Sequence, residues 1–133
     1  MKQQTLSHTI KASTAALLMT LSAWATALEM KPYSAAELND IQQKGKPVAV
    51  HFHADWCSTC VAQTKSLETL KSDAQLKGIT VLVANYDKEK DLRTSMKIRS
   101  QSTMVIFKGP QEVTRLAGQS KADQIKAAFV KAL

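Results

Sequence analysis

Two short apolar runs, Val48 to Phe52 and Ile79 to Ala84, flank a stretch of helical periodicity. That order constrains the fold more than any other feature of the 133-residue chain. Each run reads as a strand. The stretch between them sets Cys60, Val61, Thr64 and Leu67 along one helical face. Strand, helix and strand at this spacing predict a parallel β-α-β unit. Upstream, Tyr33-Ser34-Ala35-Ala36-Glu37-Leu38 predicts a helix start. Ser34 caps the Glu37 amide, Glu37 reaches back to Ser34, and Tyr33 and Leu38 occupy the hydrophobic-staple positions. This helix is expected to run to Lys44 and stop at a left-handed Gly45. Lys46-Pro47 then breaks the chain. Downstream, Asp87 to Lys97 reads as helical, with Leu92 and Met96 facing inward. Thr103 to Lys108 and Glu112 to Ala117 read as strands joined through Gly109-Pro110, a connection so short that it favours an antiparallel hairpin. Ser120, with Asp123 three residues on, opens a last helix whose buried stripe is Ile125, Ala128, Phe129 and Ala132. The order α-β-α-β-α-β-β-α predicts one α/β domain: a central mixed sheet of about four strands, flanked by helices on both faces.

The first residues are of a different kind. Lys2 and Lys11 form a basic start without acids, Ala12 to Trp24 is apolar, and Ala25-Thr26-Ala27 supplies small residues. This is the pattern of a cleavable secretory signal over residues 1–27, leaving 28–133 as the folded domain; cleavage after Ala25 is the alternative. The apolar stretch is well short of the roughly 20 residues a spanning helix needs, so no stable membrane insertion is expected after cleavage. The predicted location is the periplasm or another exported compartment. The formal net charge is +7. Its densest basic cluster, Lys88, Lys90, Arg93, Lys97 and Arg99, is interleaved with Asp87, Glu89 and Asp91 and reads as a solvated helix face. No nucleic-acid partner is expected.

Cys57 and Cys60 are the only cysteines. A bridge across so small a loop stabilises by only about 2 kcal/mol on the loop-entropy model, so the pair suits a reversible disulfide better than a structural one. An oxidising compartment lets disulfides persist, so the exported pair is either kept reduced by a dedicated electron source or kept oxidised to donate disulfides. The thiols fall where the second helix opens. Unpaired backbone amides and the positive end of the helix dipole stabilise a thiolate there. Cys57 is therefore expected to be the exposed nucleophile, and Cys60, one turn on, the shielded resolving thiol. Trp56 is expected beside the sulfurs, shaping a docking surface or serving as a plain core aromatic.

Lys46-Pro47, the apolar strand, and Ala54-Asp55-Trp56-Cys57-Ser58-Thr59-Cys60 together resemble the thioredoxin family. Ile98-Arg99, the strand from Thr103 and Gly118 fall where that family has corresponding elements. The resemblance runs from about Tyr33 to Leu133. Ala-Asp-Trp-Cys is also similar to exported thioredoxin-like domains, including the C-terminal domain of a membrane thiol transporter. The resemblance implies a thiol–disulfide oxidoreductase acting on disulfide-containing or dithiol proteins, with a membrane thiol transporter as a candidate electron donor. The reducing direction is favoured on this resemblance.

Three positions depart from the family. Ser58 and Thr59 replace Gly-Pro between the cysteines, and their hydroxyls are candidate donors to a thiolate. Ser102 stands where the family has a cis-proline; the only prolines are Pro32, Pro47 and Pro110. The loop Gln101-Ser102-Thr103 is thus either trans and reshaped, or strained. In the family this loop pairs with the substrate backbone and keeps metals from the thiols. His51 stands where the family has a buried acid, and is a candidate proton acceptor for Cys60 near neutral pH. His53, on the same strand face, is a candidate partner for the Cys57 thiolate. Two other readings stand beside the enzyme: a redox-sensing or partner-binding module, and a zinc or copper site built from His51, His53, Cys57 and Cys60. No organic cofactor is expected, because the chain has no Gly-rich phosphate loop.

Overall fold

The computed structural model describes residues 27–133. The predicted signal segment, apart from Ala27, lies outside the described residues. The elements are β1 (Leu28–Pro32), α1 (Ala35–Gln43), β2 (Pro47–His53), α2 (Ser58–Leu70), β3 (Ile79–Asn85), α3 (Lys90–Ser95), β4 (Thr103–Lys108), β5 (Gln111–Ala117) and α4 (Ala122–Val130), with a 3-10 turn at Ala74–Leu76. The five strands form one mixed sheet in the order β1-β3-β2-β4-β5. β3 runs parallel to both β1 and β2, while β4 is antiparallel to β2 and to β5.

The sheet has one strand more than expected. β1 has two charges in five residues and ends on a proline, and no run of apolar residues marks it. An edge strand tolerates both features, because only one of its sides enters the ladder. Its place is set by pairing with β3, from Leu28 against Ile79 to Pro32 against Val83.

Strand alternation divides the core in two. From β2, Val48, Val50 and Phe52 face one layer with Leu38, Ile41, Leu82, Val105 and Phe107, covered by Tyr33, Leu92, Met96 and Ile98. Ala49 faces the other layer with Leu67, Leu70, Met104, Ile106, Ile125 and Phe129. Helices therefore cover both faces. α1 and α3 lie on the first, α2 and α4 on the second.

Several local expectations are corrected. Ser34 does accept the Glu37 N–H, at 3.4 Å, but the Glu37 carboxylate accepts from Lys31 Nζ at 2.9 Å. α3 is shorter than Asp87 to Lys97, because the Asn85 side chain accepts the amides of Asp87 and Lys88 and holds them in a turn. Ser120 does not cap α4; Lys121 takes the cap position, and the Ser120 carbonyl accepts the Ser66 hydroxyl. On α2 the buried residues are Cys60, Gln63, Leu67 and Leu70, while Val61 is exposed. Gly45, at φ 66°, ends α1 as expected and is met at 3.2 Å by the position a Cβ on Gly109 would take. No helix among the described residues is long and apolar enough to cross a membrane.

Candidate active site

The end of β2 and the start of α2 bring the two cysteines to the carboxyl edge of the parallel strands. Cys57 is the N-cap of α2, with an extended backbone (φ −97°, ψ 110°), and its sulfur accepts the Cys60 N–H at 3.2 Å. A thiol thus stands where a serine or aspartate side chain commonly caps a helix. Both cysteines are free thiols. Cys60 is fully buried, as expected for the inner thiol. Cys57 is only 5% exposed, less open than the sequence predicts. Its sulfur turns inward onto the helix amides and onto Ser102 Oγ, 3.0 Å away.

Ser102 is the residue that joins the pair. Its Oγ is also 3.1 Å from Cys60 Sγ. No peptide bond among the described residues is cis. The loop is trans and reshaped: Ser102 adopts φ 62°, a left-handed conformation unusual outside glycine. Its N–H donates to Phe52 O at 3.0 Å, and its carbonyl accepts from Gly118 N at 3.0 Å. Gln101, just before it, is half-buried. The donors near the sulfurs are Ser102 and the backbone, rather than the side chains of Ser58 and Thr59.

The two thiols are driven apart. Burial alone pushes Cys57 up, but hydrogen bonds with the Cys60 thiol and the Ser102 hydroxyl, and from the amides of Cys60 and Thr59, outweigh it, and the net shift is downward. Cys60 goes the other way: burial and the bond to Cys57 raise it above the ordinary thiol range. The thiolate is thus favoured at Cys57 and disfavoured at Cys60.

Gln63 is the residue sequence reasoning missed. Its amide NH2 donates to the carbonyls of Ser102 and Gln119, each at 2.9 Å. That leaves Gln63 Oε1 as the acceptor for His51 Nε2, at 2.9 Å, and makes His51 the Nε2–H tautomer. His51 Nδ1 is then an unprotonated nitrogen, buried and without a partner. Burial, against the opposing bond to Gln63, pushes His51 down to about 4. The role of proton acceptor near neutral pH does not suit an imidazole so placed; it holds Gln63 instead. A signal was present, since Gln63 lies on the Cys60–Leu67–Leu70 stripe, where a polar residue calls for a buried partner.

The remaining candidates separate. His53 places Nε2 3.1 Å from Asp55 and Nδ1 3.5 Å from Thr64 Oγ1, so its ring is engaged away from the sulfurs. His51 and His53 meet only edge-to-face, with centroids 5.6 Å apart. Among the described residues no three or more His, Cys, Asp or Glu side chains gather as a metal-holding group, and the four-ligand set is not assembled. Trp56 is not a core aromatic: it is 63% exposed, with Nε1 donating to Asp87 at 2.8 Å.

A buried, hydrogen-bonded dithiol at a helix start in a mixed sheet defines a thiol–disulfide exchange protein. The comparisons agree. The thioredoxin family model matches residues 30–131. The chain is 32% identical over 91 residues to a thioredoxin of Alicyclobacillus acidocaldarius, covering 68% of this chain and 86% of that one. It is 36% identical over 80 residues to a thioredoxin-like protein of Synechocystis, covering 60% and 75%. The crystal structure of Trxlp from Edwardsiella tarda superposes with a TM-score of 0.72 at 29% identity, over 76% of this chain and 98% of that one. The chain belongs to the thioredoxin family, and it is a thiol–disulfide oxidoreductase with a close cysteine pair.

Proposed function

We propose that this oxidoreductase is exported and reduces or exchanges disulfides of periplasmic proteins, with Cys57 as nucleophile and Cys60 as resolving cysteine. The observation that carries the two roles is geometric: Cys57 Sγ caps α2 and accepts the Cys60 N–H at 3.2 Å, while Cys60 is fully buried behind it, and hydrogen bonds lower the first thiol as burial raises the second. Cys57 thiolate attacks the partner disulfide, displacing one partner sulfur and forming a mixed disulfide. Cys60 then attacks Cys57 Sγ, releasing the second partner sulfur and leaving the Cys57–Cys60 disulfide. The partner gains two electrons and the dithiol loses them. A membrane thiol transporter returns the protein to the dithiol state. Exposed Trp56, tied to Asp87, and half-buried Gln101 supply the surface on which partners dock.

The test is reduction of insulin by wild type, Cys57→Ser and Cys60→Ser. Wild type is expected to turn over, Cys57→Ser to be inactive, and Cys60→Ser to accumulate a mixed disulfide visible by mass. Wild-type turnover no faster than Cys57→Ser would sink the proposal. A reduction potential nearer about −270 mV than −120 mV supports the reducing direction. Export is tested by the mass of protein recovered from the periplasm of an expressing bacterium. Ala27 N–H donates to Lys71 O at 3.1 Å, a bond that a cut after Ala25 keeps and a cut after Ala27 removes.

A further inference from the structure

We propose that Ser102 is a catalytic residue whose hydroxyl bridges the two sulfurs and carries the proton that Cys60 surrenders when the mixed disulfide is resolved. This rests on the roles given to Cys57 and Cys60 above. The geometry is a single oxygen 3.0 Å from Cys57 Sγ and 3.1 Å from Cys60 Sγ. A hydroxyl has one proton to donate and lone pairs with which to accept. With one sulfur anionic and the other protonated, the hydroxyl bridges them. Cys60 S–H donates to Oγ, and Oγ–H donates to the Cys57 thiolate.

The hydroxyl is held there. The Ser102 N–H is taken by Phe52 O, and its carbonyl is taken by Gly118 N and by Gln63 Nε2. Three elements thus enforce a left-handed backbone that a serine adopts only under constraint, and such strain concentrates at functional sites. Ser102 is itself buried. Cys60 has no exposed surface from which to lose a proton. Of its other partners, Cys57 Sγ is the atom under attack in this step, and Phe52 O at 3.9 Å accepts but cannot pass a proton on. His51, the buried titratable group on the neighbouring strand, directs its N–H to Gln63 and makes no hydrogen bond to a sulfur.

The step balances. Cys60 Sγ forms a bond to Cys57 Sγ as the bond from Cys57 Sγ to the partner sulfur breaks. The Cys60 proton moves to Ser102 Oγ, and the original Ser102 proton moves to the departing partner thiolate. The electron pair of the broken bond stays with the partner, the two cysteines are oxidised to the disulfide, and the serine hydroxyl is regenerated.

Ser102→Ala removes the hydroxyl and keeps the strained backbone; Ser102→Gly removes the hydroxyl and relieves the strain. A purely structural role separates the two variants, whereas a relay makes them alike in thiol chemistry. The full chain is loaded with glutathione on Cys57, and glutathione release is followed by quenched mass spectrometry in H2O and D2O. Cys57 alkylation is followed across pH. In both variants release is expected to slow, and alkylation below the thiol pKa to slow, by about tenfold each, the loss of one charge-assisted hydrogen bond. The solvent isotope effect on release, present in wild type, is expected to vanish in both. Release within about twofold of wild type in both variants overturns the relay. So does slower release with an undiminished isotope effect, which would leave the hydroxyl a positioning role only. Failure of wild type itself to release glutathione would instead remove the underlying exchange reading.

Discussion

The two faces of β2 are built on opposite terms. Val48, Val50 and Phe52 enter a cluster of apolar side chains bordered by Tyr33 and Tyr86. On the other face Ala49 enters an apolar layer, but two residues later His51 begins a polar chain through Gln63 to Ser102 and so to the sulfurs. One strand thus anchors an apolar core with one side and holds up the reactive pair with the other. The first face needs only shape. The second needs every donor matched to an acceptor, because an unmatched buried polar group costs about 1–3 kcal/mol. Stability and chemistry are therefore carried on separate sides of the same seven residues.

This division is open to direct attack. Phe52→Ala empties a fully buried site on the apolar face and is expected to cost about 3–5 kcal/mol in urea unfolding, with the pH profile of Cys57 alkylation left in place. A matching shift in that profile would show that the two faces are not independent.

His51 gives a pH-dependent contrast. Its pKa is depressed from 6.5 to about 4 in the folded chain, so the unfolded chain binds more protons between those values. The contribution is fully present above the unfolded pKa and is lost as pH falls from about 6.5 towards 4, amounting to about 3 kcal/mol. Stability measured across that interval is expected to fall more steeply for wild type than for His51→Leu. Parallel slopes would show that His51 is not buried neutral.

Gln63→Ala makes the smallest expected change in stability, about 2 kcal/mol, by stranding the His51 N–H and removing the bonds to the Ser102 and Gln119 carbonyls. Unlike Phe52→Ala, it is expected to slow Cys57 alkylation, because Ser102 loses one of its restraints. Unchanged reactivity would detach the polar chain from the thiols.

Much of this arrangement was legible from local pattern. The apolar runs, the Ser34 cap, the Gly45 stop and the Cys57-x-x-Cys60 spacing each express a rule of a few residues' reach. β2, β3 and β4 therefore fall where expected, and Cys60 lies on the inner face of α2. Local pattern failed wherever distant chain decided the outcome. β1 is a strand because β3 offers it an edge, and α4 is capped one residue later than Ser120, with Lys121 O accepting its first helical bond from Ile125 N–H.

The sequence by itself determined that a dithiol stands at the start of a helix, after a buried strand, in a thioredoxin-family domain. Only the tertiary structure decided what surrounds it. Ser102 lies 45 residues from Cys57 and 42 from Cys60, and Gln63 lies 39 from Ser102. No periodicity spans such distances. These groups meet because β2 and β4 are hydrogen-bonded neighbours and α2 packs across them, and because buried donors and acceptors must find each other once the chain has closed.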